Sequence, residues 1–242
     1  MLDSTRLLVL TDASALDWEQ FFALYRESSL ENAVDWYPDL PEEAALQKYE
    51  AGYREHLLGA FREEHGILLL LEKEGVYLSA LRLYPQEQNL FFLEALETHP
   101  KYRQMGYGKR ILQEMMLYLH QNHPGCTVWS SVSRKNRISI STHRAAGFDA
   151  EPDQEGKHLK MVWDDSQLAR ISAYEVLLNH VLTAEHPSDV DLRALAEYYE
   201  CPLWRKDYED DEAGRIPPSF KRGVLSEDAI YDVLSGAKEG AR

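Results

Sequence analysis

Near the middle of this 242-residue chain, Arg103, Gly106, Gly108 and Lys109 have the types and spacing to hold an anion. They lie in HPKYRQMGYGKRIL, residues 99–112, where two glycines one residue apart sit among five cationic side chains. Glycine has no Cβ, so backbone there can approach a bulky ligand closely. Successive N–H groups of such a turn point at ligand oxygens, and a helix that follows adds about half a positive charge at its N-terminus. Two familiar phosphate loops do not fit. A Walker A loop needs Gly, four residues, then Gly-Lys-Ser/Thr; here Arg110 follows Lys109, and Arg103 stands where the first glycine belongs. A Rossmann turn needs a third glycine, where Ile111 stands, and an acidic residue about twenty positions on; residues 123–131 contain none.

Charge singles out the same region. Formal net charge is −15, and residues 1–100 carry 7 Lys/Arg against 19 Asp/Glu. Residues 101–144 reverse this, with 8 Lys/Arg against Glu114 alone. Such an acidic chain argues against nucleic acid or an anionic membrane as general partners, and its field favours a cationic small molecule or peptide. The two cysteines, Cys126 and Cys201, read as reduced thiols. No signal peptide precedes Leu2-Asp3, and the apolar run 67–71 is too short to span a bilayer, so a cytoplasmic location is expected.

The elements that must position the loop follow from periodicity. Residues 6–10 read as a strand, and Trp18, Phe21, Phe22, Leu24 and Tyr25 recur with helical spacing, as do Ala45, Leu46, Tyr49, Tyr53, Leu57 and Leu58. DWYPDLP (35–41) separates these helices, and 67–71 with 76–84 form a hairpin around Lys73-Glu74-Gly75. A strand over 90–98 enters the glycine loop and an amphipathic helix over 107–122 leaves it. A strand over 127–132, a helix over 136–146 ended by Gly147, and strands over 148–151 and 158–163 complete the order. This implies an α+β layer with one central sheet. Composition changes at Asp164, where a domain boundary is expected: residues 1–163 fold alone, and 164–242 form a small, mainly helical domain. That domain holds helices over 167–182 and 189–199, then a charged, turn-rich stretch in which DYEDDE (207–212) reads as a solvated acidic loop. Metal-ligand spacing is absent, and no metal is expected.

The third phosphate loop is that of coenzyme A: Arg-x-x-Gly-x-Gly between strand and helix, which residues 103–108 satisfy. Together with VWSSVSRKNRISISTHRAAGF (128–148), it resembles the GNAT superfamily of N-acetyltransferases. Arg103, Gly106 and Gly108 match that family's acyl-CoA loop, Asn136 the asparagine opening its fourth helix, and Gly147-Phe148 its closing pair. The resemblance covers most of 5–163 in element order and is motif-specific over 90–148. It implies the GNAT acyl-CoA N-acyltransferase fold, a central mixed sheet flanked by helices, with acetyl-CoA as cosubstrate and an amine acceptor. The pyrophosphate is expected over Arg103, Gln104, Met105, Gly106, Tyr107, Gly108 and Lys109, and the pantetheine arm beside Leu96, Glu97 and Thr98. The backbone N–H of Thr98, at a bulge that splays the sheet, is the implied oxyanion donor. Where the family often has a tyrosine to protonate the CoA thiolate, this chain has His143, two helical turns from Asn136 and expected on the same face. An imidazole could do that work, since its ordinary pKa of about 6.5 lies below a thiol's of about 8.5; the alternative is a histidine on the helix surface. Glu94, then Glu97, are the candidate bases. On a regular strand they point to opposite faces, so at most one meets the cleft unless a bulge intervenes. Asp35, Trp36 and Tyr37 are expected to form an aromatic lid over the acceptor, with buried packing the other role for Trp36.

Two further readings remain at this point. One is a non-catalytic acyl-CoA-binding module, a sensor or scaffold serving the C-terminal domain; the other is a nucleotide-binding domain. The C-terminal segment resembles a small uncharacterised bacterial domain, which implies no function.

Overall fold

A computed structural model describes residues 5–153, 155–184 and 187–240. Its strands are β1 (Arg6–Leu10), β2 (Ile67–Lys73), β3 (Val76–Gln86), β4 (Leu90–Thr98), β5 (Thr127–Ser133), β6 (Asp149–Pro152) and β7 (His158–Asp164). They form one mixed sheet in the order β1-β2-β3-β4-β5-β7-β6, antiparallel except for the β4–β5 pair. The hairpin between β2 and β3 turns on Glu74 (φ 53°) and Gly75 (φ 82°), two left-handed residues of the kind that closes a twisted two-residue hairpin.

The uninterrupted leucine run of β2 is explained by cover on both sheet faces. Leu68 and Leu70 pack with Phe21 and Leu24 of α1 (Trp18–Leu24) and with Leu57 and Phe61 of α3 (Glu42–Glu63). Leu69 and Leu71 point the other way, into a cluster with Ile111, Leu112, Met115 and Leu119 of α4 (Tyr107–Asn122). Between α1 and α3 the chain forms α2 (Arg26–Trp36), which periodicity did not separate from its neighbours. The short α5 (Arg137–Ala145) packs beside α4.

The C-terminal region holds α6 (Ser166–Thr183), α7 (Asp189–Glu200), α8 (Pro202–Glu212) and α9 (Glu227–Gly240). Leu168, Ile171, Leu195, Trp204, Val224 and Ile230 belong to the same buried cluster as α4 and the sheet, so one core runs across residue 164. Polar contacts cross it too. Asp165, fully buried, accepts from Gly125 N–H (2.8 Å) and pairs with His120 Nδ1 (2.7 Å). The acidic run is not the solvated loop expected. It lies on α8, where Asp207 is fully buried and accepts from Arg170 Nη2 (2.6 Å), the Tyr198 hydroxyl (2.8 Å) and Gln167 Nε2 (3.0 Å). Asp210 takes Lys206 (2.7 Å), Gln167 (2.8 Å) and Arg215. Burial opposes ionisation of Asp210, but the donors from Lys206 and Gln167 outweigh it and hold the carboxyl below its usual range.

Candidate active site

The glycine loop leaves β4 and enters α4. Gln104 (φ 64°) and Gly106 (φ 83°) adopt left-handed backbone, and Gly106 caps the helix with no side chain satisfying its first N–H groups. The first helical bond runs from Arg110 N–H to Gly106 C=O (2.9 Å), so the N–H groups of Tyr107, Gly108 and Lys109 have no partner within the helix. The two glycines do different work. A Cβ on Gly106 would meet nothing within 4 Å; one on Gly108 would lie 3.3 Å from both Thr98 Oγ1 and Thr142 Cγ2. Gly106 supplies a turn that few side chains tolerate, while Gly108 lets the helix end sit tightly against β4 and α5. Arg103 does not point freely at an anion. Its guanidinium is shared among Glu27 of α2, Glu97 (3.2 Å) and the Thr98 carbonyl (3.3 Å), which latches the loop to β4 and α2.

Beside the loop the sheet opens. β4 and β5 pair over only three positions, Leu90–Phe92 with Thr127–Trp129, whereas β4 keeps its register with β3 as far as Thr98 and β5 with β7 as far as Ser133. A bulge is present, but at Ala95–Leu96 and not at Thr98 as expected: Ala80 faces Glu97 and Arg82 faces Glu94, so Ala95 and Leu96 together oppose Leu81, with Ala95 at φ 52°. The extra residue puts Glu94 and Glu97 on the same face, which a regular strand forbids. Next along the strand, His99 N–H bonds to Leu78 C=O (2.9 Å). Ladder alternation therefore turns the Thr98 N–H toward the opening, where Glu97 Oε1 accepts it at 3.2 Å.

Both carboxylates are partly exposed, and each meets an arginine: Glu97 the latch residue Arg103, Glu94 the buried Arg82 at 2.6 Å. Arg82 lies over the Tyr53 ring (5.1 Å), and its Nε and Nη1 are buried without a hydrogen-bond partner. Burial raises the Tyr53 hydroxyl to about 12 and lifts Tyr25 well above its usual value, so both stay protonated at neutral pH. Tyr25 donates to the Ala95 carbonyl (2.7 Å) and so pins the bulge.

His143 is neither on the surface nor poised as an acid. It is 1% exposed. Its Nδ1–H donates to the Ser139 carbonyl (2.8 Å), which leaves Nε2 to accept from the Ser130 hydroxyl of β5 (3.2 Å). Burial lowers its pKa, so the ring is neutral and its one proton is spent on α5 backbone. The expected proton transfer to a thiolate would have to draw on a proton already bonded to the Ser139 carbonyl; the imidazole ties α5 to β5. Asn136, two turns away, is exposed and caps α5 by accepting from Ser139 N–H (3.0 Å), so the two do not share an environment.

On the acceptor side, Trp36 is 69% exposed rather than buried, and meets Tyr49 edge-on at 5.8 Å. Tyr49 leads to Tyr53 (5.9 Å) and so to Arg82 and Glu94. Tyr37 carries Lys48 over its ring, and Asp35 is exposed. The sequence reading missed a groove of about 710 Å³ between α1, α2, α3 and the turn after β4. Trp18, Phe22, Arg26, Glu27, Glu50, Arg54 and His99 line it. Burial raises the Glu50 carboxyl, and its buried Oε1 has no hydrogen-bond partner.

Among the described residues no cluster of His, Cys, Asp and Glu could hold a metal ion, and no helix is long and apolar enough to cross a membrane.

A splayed parallel pair, a bulged strand beside it and an open helix N-terminus at its end agree with what sequence comparison finds. The family model described as Acetyltransferase (GNAT) family matches residues 18–148, more than half of the chain. The chain belongs to that family. A second model, described as a domain of unknown function (DUF4298), matches residues 165–242. Over 65 residues the chain is 40% identical to the uncharacterized N-acetyltransferase YfmK of Bacillus subtilis (strain 168), covering 25% of this chain and 43% of that protein. The chain thus spans less than half the length of that relative. Among solved structures, the PaiA N-acetyltransferase of Thermoplasma acidophilum in complex with coenzyme A is similar at 18% identity and TM-score 0.48, covering 66% of this chain and 99% of that one. The ribosomal-protein-S18-alanine N-acetyltransferase of Escherichia coli is similar at 15% and 0.46, covering 67% and 94%.

Proposed function

We propose that the chain transfers an acetyl group from acetyl-CoA to a primary amine by direct attack on the thioester. The observation that carries this is the junction of open strand edge and open helix end: the Thr98 N–H faces the splay, and the N–H groups at 107–109, which have no partner within the helix, lie just beyond it. The second group fits a pyrophosphate, which the helix end favours by charge and by hydrogen bonds. The edge at 96–98 fits an extended amide-bearing arm, which pairs as an added strand would. The site thus suits coenzyme A, whose thioester supplies the acyl group.

The chain's own residues then have three tasks. Thr98 N–H donates to the thioester oxygen as negative charge develops there, displacing its long 3.2 Å contact with Glu97. Glu94, anchored by Arg82, accepts the proton that an ammonium must lose before its nitrogen can attack. Arg103 holds the loop and β4 in register, so that both donor groups address one ligand. The leaving thiolate takes its proton from solvent, since the one proton of His143 is held by the Ser139 carbonyl. The acceptor is a cationic small molecule or peptide that reaches Glu94 past Tyr49 and Tyr53, with Trp36 at the outer end of the aromatic row.

The buried, committed His143 favours one other reading, a module that binds acyl-CoA without turning it over. Release of free thiol from acetyl-CoA over a panel of amines separates the two: the enzyme gives amine-dependent thiol, and the module binds coenzyme A and releases none.

A further inference from the structure

We propose that the C-terminal helical region completes the donor site: the nucleotide end of coenzyme A docks between α4 and the loop at 217–219. This rests on the reading that the pyrophosphate lies at the start of α4. The two regions enclose a cavity of about 440 Å³, within the roughly 300–1,000 Å³ typical of small-ligand sites. One wall is a single stripe of α4 that begins at the phosphate loop. Gly106, Lys109, Gln113 and Leu117 recur at three- and four-residue intervals, so they share a helix face. The opposite wall is Pro217, Pro218 and Ser219.

The polarity along this cavity matches a nucleotide. Lys109 and Arg110 flank the end nearest the loop, where phosphates would lie, with Glu114 3.9 Å from Arg110. Leu117 and the prolines offer apolar surface to a flat base farther on. The proline wall is held in place from both sides. From α4, Gln113 Nε2 donates to the carbonyls of Gly214 (3.0 Å), Arg215 (3.3 Å) and Ile216 (3.4 Å). From the C-terminal region, Arg222 Nη1 donates to the carbonyls of Pro218 (3.0 Å) and Phe220 (3.0 Å), while its Nε pairs with Asp211 (2.6 Å). Each proline also has a fixed φ. A wall ordered in advance costs little to use, which is how rigid surfaces gain affinity.

The test uses the full chain and calorimetric titration with coenzyme A and with 4′-phosphopantetheine, which lacks the adenosine end. Pro218→Glu and Ser219→Glu each place a carboxylate on the exposed wall, where the flat base would meet a charged side chain in place of its seat and the core is untouched. Each is expected to weaken coenzyme A binding at least tenfold, to leave 4′-phosphopantetheine unchanged and to keep the wild-type melting temperature. Adenosine 3′,5′-bisphosphate should compete with coenzyme A on the wild type, which needs no variant. Wild-type coenzyme A affinity in both variants, or equal wild-type affinity for coenzyme A and 4′-phosphopantetheine, overturns the inference while the donor site stands. A wild-type chain that binds neither compound removes the donor-site reading and this inference together.

Discussion

Substituting the two loop glycines separately should produce different defects, because the structure uses them differently. Gly106 is left-handed and open, so in Gly106→Ala the new methyl meets nothing and the cost is conformational. Left-handed backbone costs an L-residue roughly 1–2 kcal/mol. For a chain of this size each kcal/mol lowers the melting temperature by about 2–4 °C, so the loss should be about 2–8 °C. If the loop keeps its shape, the N–H groups stay aimed and coenzyme A affinity falls less than about tenfold, under 1.4 kcal/mol. Gly108 has no unusual φ but no spare room. Its Cβ would stand 3.3 Å from Thr98 Oγ1 and Thr142 Cγ2, both side-chain ends that can yield by a few tenths of an ångström. Alanine should therefore be tolerated. The further methyls of valine should push the start of α4 away from β4, at the overpacking cost of about 1–3 kcal/mol. A displaced helix end loses hydrogen bonds to a charged ligand, worth about 1.5–3 kcal/mol each. Losing one weakens binding by about 10- to 150-fold. Differential scanning fluorimetry with and without coenzyme A reads both effects. Gly108→Val with wild-type coenzyme A stabilisation would refute the assignment of the loop.

Other outcomes follow from the same contacts. Asp207→Asn leaves Arg170 without its buried counter-charge; breaking such a pair costs about 3–5 kcal/mol, so thermal unfolding should begin about 6–20 °C lower. A shift under 2 °C would mean that α8 is not part of the shared core. Glu94→Gln should lower kcat by about 10²–10⁴ and move the activity optimum to higher pH, where free amine is already abundant; an unchanged profile would move the base role to Glu97 or to water. His143 has its pKa held below 6.5 by burial, so as pH falls below about 6.5 the unfolded chain takes up this proton before the folded one and stability declines. His143→Gln, which does not titrate, should flatten the melting-temperature curve as pH falls below about 6.5, and identical slopes would contradict the buried neutral imidazole.

What sequence conveyed here was local. The Leu68–Leu71 run, the Ile111–Leu119 stripe and the glycine loop each announce themselves within a few residues, and the α+β layer follows from their order. What it hid depends on partners far along the chain. No glycine marks the bulge at Ala95, so the shared face of Glu94 and Glu97 depended on a bulge that only the family resemblance implied and whose position the residues did not give. Arg103 looked like a phosphate ligand because its carboxylate Glu27 lies 76 residues away. DYEDDE read as solvated because periodicity counts Asp as polar; Arg170, Lys206 and Arg215 make two of its residues interior. One signal was present but unread. Arg82 interrupts the apolar stretch 76–84, Glu94 stands on the next strand, and opposite charges on neighbouring strands suggest a cross-strand pair.

The most direct test of the central claim is the mass of an amine acceptor after incubation with acetyl-CoA and the full chain, with free thiol counted in the same sample. Acylation by attack at the splay predicts an acceptor heavier by one acetyl group and thiol released in equal amount, both sharply reduced in Gly108→Val. Thiol without acylated amine, or bound coenzyme A with neither product across the amine panel, would contradict it.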